Sequence, residues 1–484
     1  MVLRLDPSFC NEAPWRFWAK HKSDSIALKV GEQSLTWQIL SIRLDDYAQA
    51  LCQQGVRRKD TILLVGKNQP ETLWLYLAAQ QMGVMVALTM PQPFQALQEK
   101  CQSVYRNDQK RFIWFADDMV STYSSQQRLL LDAKVLTLPE DRGQASSSQT
   151  SCQAHCPIQY QPHALASILF TSGSTGSPKA VAHRHSQHLA SAQGLLEVIQ
   201  FGHQDTWLLS LPLYHVSGLA IVYRWLLAGA ILKIGQGKLE EDIQGVTHAS
   251  LVVTQLKRLL VSERTLELTH VLLGGSHIPQ ELALQAQANG IETWIGYGLT
   301  EAASTVTAKQ VDQLTTVGRV LANRKIQLRD QRILIGGSTL AAGYFYQGEL
   351  SKLVDQQGWF DSKDLGQWQN GELRIIGRAD NQFISGGENI HCEEIEAVLN
   401  QIESVIQAIV VPVPDMEFGH RPVAVLQTDT LLSASQYNQC LEQRLQKFKW
   451  PIRYYLMPPD VLTSGIKVSR QAVKNWIKTV YPSR

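Results

Sequence analysis

Residues 168–183 read Ile168-Leu169-Phe170-Thr171-Ser172-Gly173-Ser174-Thr175-Gly176-Ser177-Pro178-Lys179-Ala180-Val181-Ala182-His183. The three apolar residues at the start read as the end of a buried strand. From Thr171 to Lys179 there follow two glycines, five hydroxyl side chains, a proline and a lysine. Glycines let a backbone approach an anion, hydroxyl and amide groups donate to phosphate oxygens, and Lys179 adds a positive charge. The segment therefore reads as a phosphate loop. Its spacing is not the G-x-x-x-x-G-K-[ST] of P-loop NTPases, because Lys179 follows Gly176 by three residues and Ala180 takes the place of the hydroxyl. A flexible surface loop is the competing reading of a Ser/Gly/Thr run.

Around this stretch the chain is globular in composition. Its 484 residues suffice for about three average domains, and 44% hydrophobic residues is ample for large cores. Lys and Arg number 45 against 43 Asp and Glu, a formal charge of +2, so charge alone implies neither a nucleic-acid nor a membrane partner. The seven cysteines, at positions 10, 52, 101, 152, 156, 392 and 440, form no C-x-x-C pair or metal-ligand cluster. Reduced thiols in a cytoplasm are expected. Charges scattered through Met1 to Lys22 break up any signal-peptide core, and no apolar run approaches the roughly 18 residues of a spanning helix.

Read in order, the apolar spacing predicts a helix over Trp37–Gln54, a strand over Thr61–Val65, a helix over Glu71–Met82 and a strand over Gly83–Leu88. That alternation predicts a parallel sheet flanked by helices. After Arg111–Phe115 the periodic signal fades, and the Gln- and Ser-rich segment 141–154 reads as a surface linker. Beyond the glycine loop come an expected helix at His185–Val198, a strand at Thr206–Pro212, and a segment Leu219–Gly229 apolar on every helical face except at Arg224. A buried guanidinium costs several kcal/mol unless paired, so Arg224 needs an anion or a route to water. An ordinary ion pair or a snorkelling surface arginine is the plain reading; receipt of a substrate carboxylate is the functional one. Val271–Ser276 and Glu292–Glu301 each read as a strand entering a loop, where open parallel sheets gather ligands. Arg332–Ile335 and Gly371–Ile376 suggest a mostly antiparallel region.

The loop at 171–179, Gly296-Tyr297-Gly298-Leu299-Thr300-Glu301, Asp364-Leu365-Gly366, Gly377-Arg378-Ala379-Asp380, Ser385-Gly386-Gly387-Glu388 and the late Ser464-Gly465-Ile466-Lys467 occur in one order. This constellation resembles the adenylate-forming superfamily of acyl-CoA synthetases, firefly luciferase and peptide-synthetase adenylation domains, from about Phe17 to Trp476. The resemblance implies an α/β fold with a large multi-sheet N-terminal domain, residues 1–379, and a small α+β C-terminal domain, residues 380–484, hinged at Asp380. It implies ATP and CoA as co-substrates and Mg²⁺ as cofactor. Thr171, Ser172, Gly173, Ser174, Thr175, Gly176 and Lys179 should hold the outer phosphates, and Glu301 with Thr171 should hold the metal. Tyr297 should stack on adenine in a pocket lined by Gly275, Ser276, Gly298 and Thr300. Asp364, supported by Arg378, should accept from the ribose hydroxyls, Lys467 should reach the α-phosphate and the substrate carboxylate, and Ser385, Gly386, Gly387 and Glu388 should border the CoA channel. Two departures stand out. Ile466 separates Gly465 from Lys467, where the family places lysine directly after glycine, leaving Lys474 as the nearest rival, and Ser174 occupies a common threonine position.

The substrate segments Leu213-Tyr214-His215-Val216-Ser217-Gly218 with Arg224-Trp225, Leu299–Thr305 and Gly465–Arg470 resemble the o-succinylbenzoate-activating ligases of menaquinone biosynthesis. That substrate carries two carboxylates. By the resemblance Arg224 and Ser304 would hold the one that does not react. His215 is either a polar contact near the reacting carboxylate or a packed gate. The neighbouring Trp and Tyr residues read as core. A ligase for another aryl or medium-chain acid, and a non-catalytic nucleotide sensor, are the rival readings. Partners are expected to be small molecules, with a homo-oligomer possible.

Overall fold

Every residue of Thr61–Val65 is buried, and a strand without an exposed face has to be covered on both sides, as in a parallel sheet between helices. The computed structural model describes residues 12–116, 122–139, 160–171, 179–262, 266–274, 280–385, 388–442, 444–462 and 468–481. In it Thr61–Val65 lies inside a sheet ordered Glu349–Ser351, Gly343–Tyr346, Lys179–Arg184, Leu165–Thr171, Met85–Thr89, Thr61–Val65, Phe112–Phe115, Lys134–Val135. Met85–Thr89 and Phe112–Phe115 flank it in parallel, and Leu165–Thr171 is parallel to Met85–Thr89. The expected helices appear at Trp37–Gln53 and Pro70–Gln81. Thr36 caps the first by accepting the Ile39 N–H, and Pro70 opens the second where a missing N–H costs nothing.

A second sheet runs Arg319–Val320, Ser304–Gln310, Glu292–Leu299, His270–Leu273, His248–Leu251, Thr206–Leu208, Ile231–Ile234, Ile26–Val30, Gln33–Thr36. All neighbouring pairs from Glu292–Leu299 to Ile26–Val30 are parallel, so their carboxyl ends share one edge. The helix Val216–Ala228, buried from Gly218 to Ala228, joins the layers. Its Trp225 stacks on Trp37 at 5.1 Å, and its Tyr223 hydroxyl bonds that of Tyr76 at 2.9 Å. The strand expected at Thr206–Pro212 stops at Leu208. The Asn68 side chain takes over the backbone beyond it, donating to Leu209 O and Leu211 O at 3.1 and 2.8 Å and accepting from Leu213 N at 2.8 Å.

Arg324–Arg329, Arg332–Gly337, Phe360–Gln369 and Glu372–Arg378 form the expected antiparallel sheet. After it, Gln382–Ser385, Glu388–His391, Val405–Asp415, Gly419–Thr428 and Tyr454–Leu456 make a smaller sheet, accompanied by the helices Cys392–Leu399, Ala434–Glu442 and Arg470–Val480. Its two apolar cores draw only on residues between Phe383 and Tyr481, and the three cores before it end at Ile375. The linker expected at 141–154 lies outside the described residues.

Candidate active site

The phosphate-loop stretch proves to be a hairpin. Leu165–Thr171 pairs antiparallel with Lys179–Arg184, and Thr171 opposite Lys179 is the last pair before the loop. The Thr171 hydroxyl donates to Lys179 O at 3.5 Å. Sequence reasoning misses the second strand, because six residues between a proline and a helix show too little alternation to be told from loop. Ser172, Gly173, Ser174, Thr175 and Gly176 lie outside the described residues, as do Gly275, Ser276, Gly386, Gly387 and Lys467.

Glu301 is brought to this hairpin by contacts the sequence did not announce. Thr300–Ala302 forms a short 3-10 turn after the strand Glu292–Leu299. His183, on the hairpin, donates through Nε2 to Thr300 O at 2.8 Å. A carbonyl only accepts, so this bond fixes the donor nitrogen, and burial keeps the ring neutral by lowering its pKa to about 4. On the other side Ala341 N donates to Glu301 O at 2.8 Å, and the Tyr344 hydroxyl donates to Glu301 Oε1 at 3.1 Å. The Lys179 ammonium lies over the Tyr344 ring, 5.0 Å from its centroid. Burial, then the Glu301 charge, pushes the phenol well above its ordinary pKa, so it stays a donor. Gly298 has no room for a side chain, since a Cβ there would fall 2.1 Å from Ser304 O.

Among the described residues no three His, Cys, Asp or Glu side chains gather as a metal cage. Mg²⁺ needs none. It takes one or two carboxylates together with substrate phosphates and water. A Glu301 carboxylate braced by a phenol, with the Thr171 hydroxyl at the hairpin mouth, suits that chemistry.

A second group forms around Asp364. The Tyr297 hydroxyl donates to its Oδ2 at 2.5 Å and Arg378 Nη1 to its Oδ1 at 3.0 Å. Arg378 also donates from Nε to Asp380 Oδ1 at 2.9 Å, which ties the expected hinge residue to this group. Partial burial pulls the Arg378 pKa down, but the hydrogen bond to Asp380 and the Asp364 and Asp380 charges outweigh it and raise the pKa.

Arg224 is neither exposed nor conventionally paired. It is 2% exposed, with Nη1 donating to Ser250 Oγ at 3.3 Å and the guanidinium 5.1 Å above the Trp207 ring. Among the described residues its Nε has no partner and no carboxylate meets it. Burial, then the Arg324 charge, lowers its pKa to about 9, so it stays cationic at neutral pH. Trp207 and Ser250 sit on strands of the second sheet, and helix Val216–Ala228 carries Arg224 against them. His215 stands at the N-cap of that helix, half-buried, its pKa lowered by burial and then by the Lys100 charge. Ser304 begins the strand after the Glu301 turn with a left-handed φ of +93°. On the small sheet, Ser385 is buried and pairs with Glu388. A groove of about 890 Å³ beside the edge strand Lys134–Val135, lined by Lys110, Arg128 and Leu129 among others, contains none of these residues.

The AMP-binding enzyme family matches residues 15–345. The chain belongs to that family. This AMP-binding enzyme is 41% identical over 469 residues to the 2-succinylbenzoate–CoA ligase of Escherichia coli, covering 96% of this chain and 98% of that one. It is 39% identical to the enzyme of the same name from Haemophilus influenzae, covering 96% and 98%. Among solved structures it is similar to a variant of E. coli MenE with bound OSB-AMS, with a TM-score of 0.83, 39% identity, and 97% and 98% of the two chains covered. It is also similar to o-succinylbenzoate CoA synthetase from Bacillus subtilis in complex with AMP, with a TM-score of 0.81, 25% identity, and 92% and 94% covered.

Proposed function

We propose that this AMP-binding enzyme is an AMP-forming acid–CoA ligase for 2-succinylbenzoate, acting in menaquinone biosynthesis in the cytoplasm. Arg224 carries the reading: a guanidinium buried in an apolar wall, with no carboxylate partner among the described residues, is costly, and a substrate with a second carboxylate supplies what it lacks. The relatives' names agree with that chemistry.

A carboxylate is a poor electrophile, so the enzyme first makes it a mixed anhydride with AMP. The acid's oxygen attacks the α-phosphorus and pyrophosphate leaves. In this reading residues 171–179 hold the β- and γ-phosphates, and Mg²⁺, held by Glu301 and Thr171, lends positive charge to the phosphates when bound. Tyr297 lies against adenine with Gly275, Ser276, Gly298 and Thr300 around it, and Asp364, braced by Tyr297 and Arg378, accepts from the ribose hydroxyls. Lys467 reaches over the α-phosphate and the reacting carboxylate, supplying charge where the pentavalent phosphorus gains it. In the second half-reaction the CoA thiol loses its proton, sulfur bonds to the acyl carbon, and the bond to AMP breaks. Ser385 to Glu388 border the path of the pantetheine arm. Residues 380–484 turn about Asp380 to exchange Lys467 for that path, and the separate apolar cores on either side of the hinge support such a motion. Free Cys52, Cys101, Cys392 and Cys440 suit a reducing cytoplasm.

The test is pyrophosphate release from a panel of carboxylic acids, with and without CoA. 2-Succinylbenzoate should give the highest kcat/KM, and CoA should convert its adenylate to thioester and AMP. Preference for benzoate or a medium-chain monocarboxylate would sink the substrate assignment, and no release with any acid would sink the ligase itself.

A further inference from the structure

A second cation without a carboxylate partner among the described residues, this one half-buried, is passed over by sequence reasoning. Lys100 belongs to the helix Phe94–Val104, and burial lowers its pKa to about 8. Its ammonium donates to Thr89 Oγ1 at 2.8 Å and lies 4.8 Å from the centre of the Phe170 ring. An ammonium has three N–H groups. One is used by Thr89, one face rests on Phe170, and no carboxylate meets it among the described residues.

Where it sits gives that spare capacity a use. Thr89 ends the strand Met85–Thr89, and Phe170 immediately precedes Thr171 at the mouth of the phosphate hairpin. The Lys100 charge is felt by His215, whose pKa it lowers. His215 is the N-cap of the helix that carries Arg224. Nine residues separate His215 from Arg224 (224 − 215), about 14 Å along a helix axis, so Arg224 and the helix start stand at opposite ends of one wall. A dicarboxylate whose distal group lies on Arg224 can direct its other carboxylate toward the helix start, where the Lys100 charge acts. The acid and the triphosphate both arrive as anions, and Arg224 offsets only one of the acid's two charges. We propose that the Lys100 ammonium binds the reacting carboxylate of the acid, as a resident cation additional to Lys467. The proposal rests on the ligase reading above.

The two uses of Lys100 predict different behaviour for Lys100→Met in the full chain. If the ammonium only fills space against Thr89 and Phe170, the variant loses stability and leaves both Michaelis constants alone. If it binds the carboxylate, KM for 2-succinylbenzoate rises about tenfold or more, KM for ATP stays within about twofold, and the melting temperature holds or rises because a half-buried, uncompensated charge is gone. Initial rates of pyrophosphate release with each substrate varied in turn, together with a thermal melt, separate the cases. A rise confined to KM for ATP would overturn the assignment by moving the ammonium to the triphosphate, and unchanged constants would overturn it outright. Wild-type enzyme in the same assay keeps the two readings apart. If it releases no pyrophosphate with the acid the ligase reading fails, whereas a normal wild type with an indifferent variant defeats only the role of Lys100.

Discussion

Arg224 stands out from its sequence neighbours, because one charge on an otherwise apolar helix is an anomaly that demands an explanation. What the sequence left open was the choice between a surface cation, an internal ion pair and a ligand-facing group; 2% exposure, with no carboxylate against it among the described residues, disfavours the first two. Arg224→Met should therefore raise KM for 2-succinylbenzoate by roughly 30-fold or more, the loss of a charge-assisted bidentate pair. KM for ATP should not change, and steady-state kinetics on both substrates checks it. Tyr297 carries a second prediction. Its hydroxyl is one of the groups orienting Asp364, so Tyr297→Phe should raise KM for ATP about tenfold while the ring stays in place. Tyr344, His183 and Asn68 were illegible as site residues, because each works by a hydrogen bond to a partner more than 40 residues away.

Among the elements, the central parallel strands and the helices Trp37–Gln53 and Pro70–Gln81 were readable from apolar spacing, since burial writes a period into the sequence. The strand Lys179–Arg184 and the early end of Thr206–Leu208 were not, because hairpin pairing and the Asn68 side chain decide them. Helix Val216–Ala228 starts close under Pro212, where a Cβ on Gly218 would come within 2.1 Å of the Pro212 carbonyl oxygen. Gly218→Ala should push the helix off its seat, lowering the melting temperature and raising KM for the acid together, because His215 and Arg224 ride on that helix. The helix Arg470–Val480 is anchored differently. Arg470 meets both oxygens of Glu396, with Nη2 to Oε2 at 2.8 Å, and donates to Val410 O at 2.6 Å. Arg470→Ala strands a buried carboxylate and should cost about 3–5 kcal/mol in the unfolding of the small sheet and its helices, measurable by urea denaturation.

At the scale of the whole molecule, the proposed turn about Asp380 predicts that Lys467→Ala abolishes pyrophosphate release while leaving thioester formation from supplied acyl-adenylate largely intact. Equal loss of both would argue against the exchange. Acid sensitivity is a property of the assembled layers. His185 bonds the Tyr223 hydroxyl at 2.9 Å and His248 bonds Gln200 O at 2.7 Å; burial lowers their pKa values to about 3 and about 4 from an ordinary 6.5. Above pH 6.5 both states hold these rings neutral and stability does not depend on them. As pH falls from 6.5 toward 4, the unfolded chain takes up protons that the folded one refuses, so stability declines by at most on the order of 3 kcal/mol per ring. Melting temperatures at pH 7.5 and 4.5 should differ accordingly, and equal values would contradict it. The order of motifs along the chain was enough to announce the family, since that depends on residue types at short spacing and on apolar period. The convergence of His183, Tyr344 and Glu301, the burial of Arg224 and the half-burial of Lys100 away from every described carboxylate, and the division into separate cores came only with the folded chain. Charge compensation and burial are sums over neighbours distant in sequence, and no local window contains them.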